Sequence, residues 1–106
     1  MNEVSKVDWK LFRNRVPEWQ ERHMERLIKE YIGLLESQED ASKRFWMLEK
    51  RIRNDRNHPG VILELRKSEM VSDIVMLINE GVIEIVDIEG FSEELIDEIQ
   101  ARMKWE

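Results

Sequence analysis

Two prolines, Pro17 and Pro59, and four glycines, Gly33, Gly60, Gly81 and Gly90, are the only strong backbone punctuation in 106 residues. Elements between such breakers separate cleanly, and the apolar residues inside them recur at helical spacing. Met24, Leu27, Ile28, Tyr31, Leu34 and Leu35 form one stripe of a helix over roughly 17–36. Glu18–Arg22 and Glu25–Lys29 support its wet side as (i, i+4) pairs. Pro17 suits the first position of that helix, where its missing N–H costs nothing, with Glu18 and Glu21 near the positive end of the dipole.

An earlier helix is expected to start at Ser5 and stop before Pro17. Ser5 and Asp8 have capping-box spacing, with Val4 and Trp9 placed as a hydrophobic staple. A third helix spans about 41–56, with Ala41, Phe45, Leu48 and Ile52 turned inward, and His58-Pro59-Gly60 ends it. A fourth occupies about 63–80, with Leu63, Met70, Ile74, Leu77 and Ile78 inward and Gly81 as its C′ residue. Residues 82–88 permit a short strand, but no second strand stands ready to pair. An irregular or single-turn segment burying Ile83, Ile85 and Ile88 is preferred. Ser92 caps a last helix carrying Leu95, Ile96, Ile99 and Met103. Trp9 and Trp19 are expected to clamp the first helix onto the second, whereas Trp46 and Trp105 lack an evident core role.

The fold class that follows is all-α: a small single-domain bundle over residues 1–106, with four to five helices and short loops. A helix-turn-helix within it stays open. The apolar share, 42%, is enough for a core despite 38% charged residues. The longest apolar run, Ile74 to Ile78, is far short of the ~20 residues of a bilayer span. The start of the chain lacks the apolar stretch of a secretory signal, and cysteine is absent. A cytoplasmic location is the expectation.

Charge is segregated. Residues 43–58 carry six bases against two acids, +4, and residues 80–106 carry nine acids against two bases, −7. Lys43, Arg44, Lys50, Arg51 and Asn54 fall opposite Phe45, Leu48 and Ile52 on the wheel, with Met47 amid them and Trp46 on the flank. Such a face meets phosphate or an acidic partner, or it is a solvated surface. Leu65 and Met76 give the fourth helix a second apolar side, so it is either central to the bundle or an interface.

Catalytic signatures are scarce. Arg53 and His58 have the R-x4-H spacing of the helical HEPN ribonucleases, a match that ten arginines and two histidines readily produce by chance. His23 has no second ligand at metal spacing and reads as a boundary histidine. No catalytic residue, metal or cofactor is expected.

The segments WKLFRNRVPEWQERHMERLIKEYIGLL, FWMLEKRI and HPGVILELRKSEM, followed by INEGVI and EGFSEEL, resemble a group of short bacterial proteins of unknown function. Some of these bear the automatic label "multidrug transporter", which the hydropathy contradicts. The resemblance implies a small cytosolic domain and brings no mechanism. The leading expectation is a non-enzymatic protein-interaction or regulatory module, with a homodimer as one form, acting through Lys43, Arg44, Trp46, Met47, Lys50, Arg51, Leu65 and Met76. The alternative is nucleic-acid binding by the basic helix around 43–56.

Overall fold

The Ser5 hydroxyl accepts a hydrogen bond from the Asp8 N–H at 3.1 Å, and the helix it caps runs without a break far past Pro17. The computed structural model describes residues 4–105, and of Trp105 the backbone only. It is all-helical, 73% helix without strands among the described residues, with four α-helices joined by short loops. These are α1 (Lys6–Leu35), α2 (Ala41–Asp55), α3 (Met70–Asn79) and α4 (Glu93–Trp105). Single 3-10 turns lie at Lys67–Glu69 and Ile85–Ile88.

Two helices expected on either side of Pro17 are therefore one. An interior proline costs ~3 kcal/mol through its missing N–H and its clash with the preceding turn. Phe12, Val16 and Trp19, all buried, bracket Pro17 along one side of α1. Burying three such side chains contributes several kcal/mol, on the order of 1.5–3 each, so packing outweighs the local rule. Trp9 and Trp19 correspondingly do not clamp two helices. They flank Phe12 on the same helix, at ring-centroid distances of 6.0 and 6.3 Å.

The described residues pack as two compact units, one of residues 4–19 with 64–105, the other of residues 20–63. The first unit holds most of the core. Five residues of α3 are buried, Met70, Val71, Ile74, Val75 and Leu77, and α3 packs on α4, whose Leu95 and Ile99 are buried too. Gly81 ends α3 as expected. At φ 74° it lets the Val82 N–H reach Leu77 O (2.9 Å) and its own N–H reach Ile78 O (3.0 Å).

The expected helix over 63–80 begins only at Met70. Residues 61–65 alternate half-buried and exposed, Val61, Leu63 and Leu65 against Ile62 and Glu64, which is the period of extended chain. Leu65 is thus not on α3, and the pairing of Leu65 with Met76 across one helix does not occur. Both are half-buried. The 82–88 segment is the single turn preferred from sequence, with Ile83 and Ile88 buried, but Ile85 is exposed.

Among the described residues, Asp8 is the one polar residue buried as a whole. Asp8, 3% exposed, accepts from the Ser92 N–H at 2.9 Å and from the Ser92 hydroxyl at 2.6 Å. Ser92 Oγ in turn accepts from the Leu95 N–H at 3.2 Å, capping α4. Beside it, Arg15 donates to the carbonyls of Asp87 and Glu89 and lies over the Phe91 ring.

A candidate interaction face on residues 20–63

The second unit is an antiparallel helical pair, the C-terminal half of α1 against α2, and its seam is polar. The Tyr31 hydroxyl donates to Asp55 at 2.6 Å, and Arg51 bridges Glu30 (2.8 Å) and Asp55 (3.5 Å). The same guanidinium sits 5.5 Å from the Tyr31 ring centre. Burial and the bond to Asp55 push the Tyr31 phenol up to about 12, and the bond to Glu30 raises Arg51 further. At the turn, Arg44 donates to Leu35 O (2.6 Å), the last carbonyl of α1, and to Glu39 O (2.9 Å) in the connection that follows. At the other end Gln20 donates to Pro59 O (3.0 Å), and the His23 and His58 rings stack at 4.9 Å, nearly parallel. Gly60 is what admits His23, since a Cβ there would collide with the ring. Burial, then the neighbouring His58 and Arg26, hold the His23 imidazole below its ordinary value.

With polar groups occupying the seam, the apolar stripes turn outward. Among the described residues of α2 none is buried. Phe45 is 63% exposed and Ile52 45%, which overturns the expectation that Ala41, Phe45, Leu48 and Ile52 face a core. On α1 the stripe divides. Leu27 is buried and Tyr31 and Leu34 half-buried, while Met24, Ile28, Ile32 and Leu35 lie open. A groove lined by Met24, Leu27, Ile28, Ile52 and Val61, and also by Tyr31, Asp55 and Arg56, continues at Ile52 and Arg56 into a second lined by Phe45 and Leu48. The result is one apolar surface crossing both helices, rimmed by Glu49, Arg53 and Arg56.

Most of the expected basic surface is engaged internally. Lys43 pairs with Glu39 at 2.9 Å, Arg44 with the carbonyls above, and Arg51 with Glu30 and Asp55. Lys50 is exposed, and so are Trp46 (64%) and Met47 (38%), with Trp46 edge-on to Phe45. Leu65 and Met76 belong to the other unit. Of the R-x4-H pair, Arg53 forms a fork with Glu49 (3.0 and 2.7 Å), and His58 Nδ1 accepts from the Gly60 N–H at 3.0 Å. The sequence pattern placed Phe45 and Ile52 inside, set Tyr31 in the apolar stripe, and gave Glu30 and Asp55 no part in a site. The usable signal was the Arg51–Asp55 (i, i+4) pair beside the apolar stripe, which offers a polar edge for a neighbouring helix.

No cluster of metal-ligating side chains occurs among the described residues, and none of their helices is long and apolar enough to cross a membrane. Comparisons with protein-family models, curated proteins and solved structures yield no match to this chain.

Proposed function

We propose that the chain is a non-enzymatic, cytoplasmic protein-interaction module whose contact surface is the outward apolar face of α1 and α2. The carrying observation is the inverted pair, polar in its seam and apolar outside, with Phe45 and Ile52 in solvent. An exposed apolar surface crossing two helices is the ordinary mark of a protein contact. Trp46, edge-on to Phe45, extends it with a residue type enriched at interfaces. The kinship with short bacterial proteins belongs to the same proposal.

Nucleic-acid binding through residues 43–56 is the competing reading. It needs cations free to neutralise phosphate, whereas Lys43, Arg51 and Arg53 already face carboxylates. The experiment is affinity capture with the intact chain and with Phe45→Glu/Ile52→Glu. Loss of captured protein with helicity retained supports the reading, and unchanged capture overturns it. Submicromolar binding of duplex DNA or RNA in physiological salt, abolished by Lys43→Glu/Lys50→Glu/Arg51→Glu in a folded protein, establishes the competitor instead.

A further inference from the structure

We infer that the occupant of this face is a second copy of the same chain, pairing α2 antiparallel with its mate so that two helical pairs close into a four-helix bundle. The inference rests on the interaction-face reading and adds the partner's identity. Four features of residues 20–63 carry it.

The unit is short of core. Leu27 alone among its described hydrophobic side chains is buried, so most of the unit's apolar surface is left without cover. Cover for such a surface is best supplied by a partner present whenever the chain itself is made.

The apolar spacing is self-complementary. Ala41, Phe45, Leu48 and Ile52 are separated by four, three and four residues, a pattern that reads the same in both directions. Antiparallel pairing about its midpoint sets Phe45 against Leu48 of the mate and small Ala41 against the larger Ile52, a knobs-into-holes seam. On α1, the open side chains of Met24, Ile28, Ile32 and Leu35 extend the same kind of surface.

Charge permits it. The whole chain is at −6, but residues 20–63 hold nine Lys and Arg against eight Asp and Glu. Two such faces meet without the repulsion the rest of the molecule would impose, and a polyanion gains little there.

The area suffices. Met24, Ile28, Ile32, Leu35, Phe45 and Ile52, each 39% exposed or more, leave on the order of 600 Å² of side-chain surface open per copy. Pairing two copies buries on the order of 1,200 Å² before the rim is counted, which reaches the size of a specific interface.

Sedimentation equilibrium of the full chain tests the inference. A mass of twice 12.9 kDa is expected at about 100 µM. Phe45→Glu/Ile52→Glu should weaken association by ~100-fold or more while the helical spectrum stays, because neither side chain is buried within the chain. Val86→Glu, exposed but on the other unit, should change nothing. The chain has no cysteine, so Ala41→Cys/Ile52→Cys reads the geometry directly. Eleven residues along one helix separate these positions by ~16 Å, beyond a disulfide's reach. Oxidation should therefore link them only between copies, with Ala41→Cys alone linking poorly. Self-linking by Ala41→Cys alone overturns the antiparallel pairing. A dimer that survives Phe45→Glu/Ile52→Glu overturns the surface. A wild type that is monomeric at ~100 µM overturns self-association, and the capture comparison above then decides separately whether the face binds another protein.

Discussion

Asp8 and Ser92, 84 residues apart, are joined by two hydrogen bonds into one carboxylate, 2.9 Å from the Ser92 N–H and 2.6 Å from its hydroxyl. Asp8 is the third residue of α1 and Ser92 the cap of α4, so one carboxylate ties two helix starts together. Both helix N-termini carry partial positive charge, which favours the anion placed between them.

Removing that carboxylate leaves the Ser92 donors without their acceptor. Asp8→Ala should cost ~2 kcal/mol in urea unfolding, in the range of hydrogen bonds to charged groups. Ser92→Ala should cost ~1 kcal/mol or more through the lost cap. A double-mutant cycle should return a coupling of about 1 kcal/mol or more, and a coupling near zero would show that the two bonds carry no stability.

Pro17 is exposed and inside α1, so alanine there restores a backbone donor and loses no packing. Pro17→Ala should raise stability by ~1–3 kcal/mol, the helix gain reduced by the greater freedom of the unfolded chain. A lower melting temperature would contradict an unbroken α1.

Asp73 Oδ2 is buried without a hydrogen-bond partner, and burial, followed by the nearby Glu69, lifts the carboxyl from 3.8 to about 6. The folded state therefore binds this proton more tightly than the unfolded state. Its contribution is fully favourable below the unfolded value and is lost as pH rises through about 6. Asp73→Asn should stabilise the protein at pH ~8 and give little or no gain at pH ~4, read from urea midpoints. An equal gain at both pH values would refute the ionisation account.

His23 has the opposite sign. Its folded-state value is lowered from 6.5, first by burial and then by His58 and Arg26, with Asp55 and Glu30 opposing. Stability from this site is complete above 6.5 and falls as pH drops through the lowered value. Gly60→Ala should force the ring out of its place and destabilise residues 20–63 by ~1–3 kcal/mol. It should also move the His23 titration, followed by NMR, back toward 6.5. A titration unchanged by Gly60→Ala would mean that the packing does not set it.

What the sequence determined by itself was local. The caps at Ser5 and Ser92 and the C′ glycine at Gly81 follow from residues acting on their own backbone within a turn. The all-α class follows from the same periodicity. Where a decision involved a distant partner, only the tertiary structure made it. Pro17 stays helical because Phe12, Val16 and Trp19 are buried around it, a gain invisible to a rule about neighbouring residues. Residues 61–65 stay outside a helix, with alternate side chains half-buried, although their apolar spacing also fits one. The outward turn of Phe45 and Ile52 was hidden for a related reason. An apolar stripe tells which side of a helix avoids water, but which neighbour the helix meets is settled elsewhere. Here Tyr31, Asp55, Arg51 and Glu30 satisfied one another across the seam, and the stripe was left facing out.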